Sequence, residues 1–212
     1  AFAPIQAAPQ FYDASDALES SSELGMPVIA WVNDLTNSMY ADWPKTLKDM
    51  MRYRWMSGLP LIQQNFFQLV VLLDMRDPRA LLLLGMYLDA TLMDYAIRWG
   101  IVPLLEDEDC HVLAQILWLG MEQLAALEIP LFLQKLAATP LTPEGRVDPK
   151  QARAVLRSML PASAQEDNEL MAFLNGGERI SGYKRLLELA KSYLGRLHTM
   201  KRPGSSGVAY FN

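Results

Sequence analysis

The spacing of apolar and polar residues divides the chain near residue 110. Before that point, three short apolar runs are each closed by turn residues, at 27–35, 69–73 and 95–105. Runs of this length predict β-strands, and an unbroken LVVLL run followed by aspartate is typical of a central strand buried on both faces. The apolar segment 79–93 has the length of a helix, so this region predicts a β-α-β unit whose strands run parallel.

In the second half of the chain the apolar spacing becomes helical. The segment 111–137 contains Pro130, which we expect to kink or break the helix. Asp148-Pro149 opens a second predicted helix, residues 182–198 form a third, and a strand-like VAYF follows near the end. These patterns predict an α/β sheet with a helical insertion at about 110–198. The predicted strands lie near 28–33, 68–74, 95–105 and 208–212.

Residues 1–26 differ from the rest of the chain in composition and in hydrophobic pattern. They combine alanine, proline and serine with scattered acids and show no sustained period. Such a segment predicts a leader arm that is ordered only by docking, so the folded domain is expected to cover 27–212. Because the chain stops at GVAYFN, where a strand begins, we expect a fragment of a longer protein whose next segment would cover one face of the sheet.

The composition is that of a folded protein with an apolar surplus, since 51% of residues are hydrophobic and 20% are charged. The formal net charge is −5, so a polyanion is repelled on average and nucleic acid is not expected as a partner. No apolar stretch of the sequence reaches the ~20 residues of a membrane span. The single cysteine, Cys110, can form neither an internal disulfide nor a CxxC pair.

The sequence contains no recognisable catalytic or metal-binding constellation. The two histidines, His111 and His198, lie far apart, and no serine or cysteine stands in a nucleophile motif. Gly176-Gly177 lacks the strand and the further glycine or lysine of a phosphate loop, and predicts a turn. The acidic run at 106–109 predicts a solvated turn that caps the following helix, in preference to a metal site. The domain is therefore expected to be noncatalytic.

An aromatic motif near the first predicted strand carries a resemblance to a known family. WVND is followed by a tyrosine, by Trp-Pro at a helix start, and by an asparagine before the long apolar strand. In this order and spacing the residues resemble a middle domain of UDP-glucose:glycoprotein glucosyltransferase, the quality-control enzyme of the endoplasmic reticulum. The matching positions are Trp31, Val32, Asn33, Asp34, Tyr40, Trp43, Pro44, Met50, Met51, Arg52, Ile62 and Asn65, followed near the end by Val208, Phe211 and Asn212.

The resemblance implies a thioredoxin-like fold that is used without redox chemistry. In that fold the redox cysteines follow the first strand of the β-α-β unit, where this chain has Met75, Arg76, Asp77 and Pro78. The chain also departs from the family by lacking a proline after Arg52 and by placing Gly207 where a proline usually precedes the last strand. Without a thiol pair the domain cannot exchange disulfides, so the fold is expected to serve as a scaffold.

The resemblance also implies a function and a location. The family's parent enzyme adds glucose to the glycans of incompletely folded glycoproteins in the lumen of the endoplasmic reticulum. It uses UDP-glucose and a divalent cation in a separate C-terminal domain, so no cofactor is expected in this domain. The implied role is a folding sensor whose partners are misfolded glycoproteins and the other domains of the parent enzyme.

Two surfaces could serve such a sensor. Tyr40 and Trp43 could bind clients, but a tryptophan beside a proline at a helix start more often packs internally, so we expect the family-motif residues to be structural. The apolar surplus favours a second hypothesis, an exposed patch formed by the central strand and the insertion. Its residues would be Leu69, Val71, Leu73, Trp118 and Met121. The alternative is a purely structural module whose apolar residues are covered by neighbouring domains.

Overall fold

The computed structural model of the chain describes residues 28–50, 61–177, 180–200 and 209–211. The predicted leader arm at 1–26 lies outside these residues. Predictions that concern Met51, Arg52, Gly207, Val208 and Asn212 also fall outside them.

Four described strands form one mixed sheet in the order β1-β3-β2-β4. β2 and β3 run parallel, with Val70 level with Gly100, whereas β1 pairs antiparallel with β3 and β4 pairs antiparallel with β2. The predicted α/β fold and its parallel β-α-β unit are therefore confirmed. The strand bounds are Ala30–Trp31 for β1, Phe67–Leu73 for β2, Ile97–Pro103 for β3 and Ala209–Phe211 for β4.

Seven α-helices lie within the described residues, most of them after β3. They are α1 (Leu47–Met50), α2 (Pro78–Thr91), α3 (Glu108–Gln123), α4 (Ile129–Ala137), α5 (Pro149–Met159), α6 (Asn168–Leu174) and α7 (Ser181–Met200). Short 3₁₀ helices cover Ser38–Tyr40, Ala126–Glu128 and Ala162–Glu166. The break expected near Pro130 is present, since α3 ends at Gln123 and α4 begins at Ile129. Pro130 lies in the first turn of α4, where no backbone N–H is needed.

Aspartate caps explain why several of these helices begin where they do. Asp77 accepts a hydrogen bond from the backbone N–H of Arg79 at the start of α2. Asp148 and Asp167 cap α5 and α6 in the same way, and Asp107 caps α3 by accepting from the N–H of Cys110. Each cap satisfies a backbone donor that the first helical turn leaves without a partner.

The sheet and the insertion share one apolar core. Alternate residues of β2 and β3, such as Leu73 and Ile101, pack in the same cluster as Leu113 of α3 and Phe132 of α4. A second, smaller cluster lies under the loop that follows β1 and contains Leu35, Tyr40, Ile62 and Ala96. The helical insertion is thus packed against the sheet through a continuous core.

Helices α2 and α4 pack closely because α2 has a glycine at their contact. A Cβ atom placed on Gly85 would lie 2.9 Å from the backbone oxygen of Pro130 and 2.9 Å from Cγ of Gln134. The proline carbonyl belongs to the backbone and cannot move aside as a side chain can. Any larger residue at this position therefore has to separate the two helices.

We expect Gly85→Val to lower the free energy of unfolding by about 2 kcal/mol, because overpacking outweighs the gain in helix propensity. Urea unfolding followed by circular dichroism measures this change. Ala90→Val is the matched control, since Ala90 is an exposed residue of the same helix. Equal unfolding midpoints for the two variants would contradict the close contact.

Candidate functional site

The segment that would carry redox cysteines is occupied by an ion cluster around Arg76. Met75 is fully buried, and the Arg76 side chain is only 10% exposed. Its guanidinium donates to Asp74 at 3.0 Å, to Glu106 at 2.6 Å and to Asp107 at 2.5 Å. The cluster joins the end of β2 to the residues that precede α3.

The same arginine also ties down the loop before α5 through its backbone. The carbonyl oxygen of Arg76 accepts a hydrogen bond from the N–H of Val147 at 3.0 Å. Three separate parts of the chain therefore meet at the position where a thioredoxin would present its thiols to solvent. The arrangement closes this position and does not expose a reactive group.

The electrostatics of the cluster favour ionised side chains. Burial opposes ionisation of Asp74, but hydrogen bonds from Arg76 outweigh it and hold the pKa of this carboxyl below its usual range. The backbone N–H of Cys110, helped by Arg76, lowers the pKa of Asp107 despite some burial. The pKa of Arg76 is raised, chiefly by its hydrogen bond to Asp74. None of these groups can exchange a proton near neutral pH, so the cluster has the properties of a structural ion network.

The acidic run at 106–109 has a larger role than a solvated turn. Asp107 does cap α3, as predicted, but both Glu106 and Asp107 also bind Arg76. The prediction that this pair is only solvated is therefore wrong, because both carboxylates bind Arg76, which lies about 30 residues earlier in the chain. Among the described residues, no group of three or more histidine, cysteine, aspartate or glutamate side chains could hold a metal ion.

Cys110 is placed where it cannot act as a nucleophile. The residue is fully buried in the first turn of α3, and burial raises the pKa of its thiol. A thiol that stays protonated and has no access to solvent is chemically inert.

Asn33, from the WVND motif, is a buried hydrogen-bonding centre. Its side-chain N–H groups donate to the Tyr40 hydroxyl and to the carbonyl oxygen of Ile97, both at 3.1 Å. Its side-chain oxygen accepts from the N–H of Trp99 at 2.8 Å. One side chain thus connects the loop after β1 to two positions on β3.

Asn65 binds the two residues that directly follow Asn33. Its side-chain oxygen accepts from the N–H of Leu35 at 2.9 Å, and its N–H donates to Asp34 at 2.8 Å. The side chain therefore joins the loop after β1 to the approach to β2.

The aromatic residues of the motif are packed into the fold. Tyr40 is 1% exposed, and its ring lies 4.6 Å from that of Trp43, centroid to centroid. Pro44 accepts a backbone hydrogen bond from Gln63, and the guanidinium of Arg98 lies 4.1 Å from the ring centre of Trp31. These contacts are the ones that a packing role requires.

The five residues expected in an exposed patch are not brought to the surface. Leu73 and Trp118 are 2% and 5% exposed, and Leu69, Val71 and Met121 are half-buried against the core. Leu69 and Val71 pack against the same core that contains Leu73, and α3 contacts β1, β3, α4 and α5. The expectation of a ready-made patch at these positions therefore needs correction.

A different set of apolar side chains is exposed, on α2, on α4 and in the 3₁₀ helix just before α4. We call it the α2–α4 surface. Its six residues are between 45% and 62% exposed, namely Leu82, Leu83, Met86, Tyr87, Leu127 and Leu131. The sequence contains a signal for this surface. The segment 79–93 is apolar on every face, and a helix that packs on one side leaves its other faces exposed.

The two helices meet at Gly85, and Leu82 and Leu131 lie nearest to this contact. Leu82 lies one turn before Gly85 on α2, and Leu131 lies one turn before Gln134, which contacts Gly85 from α4. Leu83 and Tyr87 are one turn apart on the solvent side of α2. Arg79 and Asp89 are the charged residues of α2, one near each end of the helix.

The fold defines the chain as a thioredoxin-like domain. A family model described as a thioredoxin-like domain matches residues 12–212, and the chain belongs to that family. The parallel β2–β3 pair with its connecting helix, and the flanking antiparallel strands, are the framework of such a domain.

One relative of the chain agrees with the resemblance predicted from the aromatic motif. The chain is 29% identical over 90 residues to the UDP-glucose:glycoprotein glucosyltransferase of Drosophila melanogaster. The match covers 42% of this chain and 6% of that relative, so the chain spans only a small part of the relative's length. None of the helices in the described ranges has the length and apolarity to span a membrane.

Proposed function

We propose that this chain is a noncatalytic folding-sensor module of a glycoprotein glucosyltransferase in the lumen of the endoplasmic reticulum. It contacts incompletely folded glycoproteins so that the parent enzyme can glucosylate their glycans. The observation that supports this role best is the α2–α4 surface, where six large apolar side chains are 45–62% exposed on a thioredoxin-like domain without a thiol pair. UDP-glucose and a divalent cation belong to the catalytic domain of the parent.

The chemistry of the surface suits a client that lacks a defined shape. Burying apolar area releases about 25 cal/mol per Å², whatever the sequence that covers it. Met86 has a flexible, polarizable side chain, and Tyr87 offers a flat ring with a hydroxyl, so the surface can adapt to different apolar segments. The absence of a redox pair means that such contacts stay noncovalent and reversible.

A second candidate function is structural packing within the parent enzyme. The α2–α4 surface lies on two regular helices joined by a close contact at Gly85, which is the kind of static face that another domain can cover. The chain corresponds to 6% of its relative, so much of such a parent is available to cover it. In this alternative the surface has no contact with clients.

We expect Leu83→Lys to weaken binding of an unfolded glycoprotein about tenfold, which corresponds to 1.4 kcal/mol. The charge would be placed in the middle of the apolar contact, where it loses water without gaining a partner. The probe is a reduced, carboxymethylated glycoprotein that carries high-mannose glycans, titrated by fluorescence anisotropy. Leu47→Lys is the matched control, because Leu47 is 56% exposed on α1 and Leu83 is 55% exposed on α2.

Equal affinities for these two variants would refute the assignment of client binding to the α2–α4 surface. Labelling of the full-length parent separates the two functions. A thiol introduced by Tyr87→Cys reacts with a maleimide in the intact enzyme if the surface receives clients. It stays protected in the intact enzyme, and reacts only in the separate domain, if another domain covers the surface.

A further inference from the structure

A stripe of polar side chains runs along one face of α3. His111, Gln115, Trp118 and Glu122 are spaced four, three and four residues apart, which places them in one row on a helix. His111, Gln115 and Trp118 are buried, with Gln115 fully so. A row of this kind is unusual in a helix whose other faces pack into an apolar core.

Helix α7 covers this stripe in an antiparallel orientation. The Tyr183 hydroxyl donates to Glu122 at 2.9 Å, and the Tyr183 ring stacks on Trp118 with centroids 6.3 Å apart. At the other end, His111 lies close enough to Lys191 for its charge to add to burial in lowering the pKa of the histidine. Leu187 stands one turn from both Tyr183 and Lys191 and is buried.

Four buried polar atoms of the stripe have no hydrogen-bond partner, although Glu122 is bound by Tyr183 and Nδ1 of His111 lies 3.2 Å from Glu108. Both amide atoms of Gln115, Nε1 of Trp118 and Nε2 of His111 make no hydrogen bond with any residue that the structure describes. A buried donor or acceptor without a partner destabilises the arrangement that buries it. Packing of α7 on α3 therefore has a free-energy cost. This cost is removed when water or another polar ligand reaches the stripe.

We propose that α7 is released from α3 in a fraction of molecules and that the uncovered stripe binds an extended polypeptide segment through its backbone amide groups. A glutamine side chain offers the same donor and acceptor as a peptide group, so Gln115 can pair with a backbone N–H and a backbone C=O together. The indole N–H of Trp118 can donate to a further carbonyl, while its ring covers an apolar side chain.

Recognition of this kind is independent of client sequence. Every unfolded segment carries unpaired backbone amides, whereas a folded glycoprotein has already paired them in its own helices and sheets. The inference rests on the proposed function and adds to it a second, concealed contact. It also gives a role to Trp118, whose ring stacks on Tyr183 of α7.

Two substitutions test the proposal because they act in opposite directions. Gln115→Leu removes the unpaired amide, so α7 should open less often and its amide hydrogen exchange should slow about tenfold. Tyr183→Phe removes the hydrogen bond to Glu122, whose side chain is exposed and can be hydrated, so exchange of α7 should quicken about fivefold. Gln123→Leu on the same helix is the control and should leave exchange of α7 unchanged.

Binding of the reduced, carboxymethylated glycoprotein should follow the exchange rates. We expect weaker binding by Gln115→Leu, tighter binding by Tyr183→Phe and no change for Gln123→Leu. The proposal is overturned if Gln115→Leu quickens exchange of α7, or if affinity fails to change in opposite directions for the two variants. If these variants bind as the unsubstituted chain does while Leu83→Lys does not, the concealed contact is wrong and the proposed function stands. If the unsubstituted chain binds no unfolded glycoprotein, both fail.

Discussion

Replacing Arg76 by methionine is expected to lower the free energy of unfolding by about 2 kcal/mol, because hydrogen bonds from one buried cation to three partly exposed carboxylates are lost. The arginine side chain is 10% exposed and is bound by Asp74, Glu106 and Asp107. Without it, three carboxylates face one another where β2 ends and α3 begins. Urea unfolding at pH 7, followed by circular dichroism, measures the loss.

Arg79→Met is the matched control for this substitution. Arg79 is an exposed residue of α2, only three positions away, and its replacement should change stability by no more than about 0.5 kcal/mol. If Arg76→Met unfolds at the same urea concentration as Arg79→Met, the ion cluster contributes nothing to stability.

The pH dependence of the Arg76→Met variant gives a second, independent readout. In the unsubstituted chain the folded-state pKa values of Asp74 and Asp107 lie below 3.8, so their stabilisation is present above pH 3.8 and is lost as the pH falls through the lower values. In the variant the clustered carboxylates repel one another, so protonation should relieve the repulsion and stability should rise as the pH is lowered from 7 towards 4. Between pH 7 and pH 4 the unsubstituted chain should therefore keep this stabilisation, whereas the variant should become more stable.

Replacing Asn33 by alanine is expected to lower the free energy of unfolding by about 3 kcal/mol. The substitution leaves three buried groups without a partner, namely the Tyr40 hydroxyl, the carbonyl oxygen of Ile97 and the N–H of Trp99. Two of these belong to β3, so the loss affects the centre of the sheet. Thermal and urea unfolding of the variant measure the effect.

Asn168→Ala serves as the control, because Asn168 is exposed at the start of α6. Tyr40→Phe should give an intermediate loss of about 1 kcal/mol, since it removes one of the three hydrogen bonds. A graded order of stability, with Asn168→Ala highest and Asn33→Ala lowest, is the expected result. A stable Asn33→Ala variant would show that the WVND motif has no role in holding β1 and β3 together.

The framework of the fold could be predicted because its signals are local. The apolar run that becomes β2, the Asp77-Pro78 stop and the helical segment after it are each encoded within a few residues. Pro130 and Asp148-Pro149 likewise mark helix starts by backbone chemistry alone. Helix α6 was not predicted, because seven residues are too few to show a period.

The surfaces could not be predicted, since burial depends on partners that are distant in sequence. Trp118 and Leu83 are both apolar residues on apolar helices, and their local sequences do not distinguish them. Trp118 is covered because α3 lies between the sheet and other helices, whereas Leu83 is exposed because α2 packs on one side only. The pairing of Arg76 with Glu106 has the same origin, because 30 residues separate the two partners.

The pairing of β4 with β2 has a consequence for how the domain is made. Residues Ala209–Phe211 align with Leu69–Val71, so the whole insertion must be synthesised before the fourth strand can join the sheet. Contacts between such distant segments form slowly, because a long loop has to close first. A nascent chain therefore carries an open β2 edge for most of its synthesis, and this module passes through the aggregation-prone stage that chaperones of newly made proteins protect.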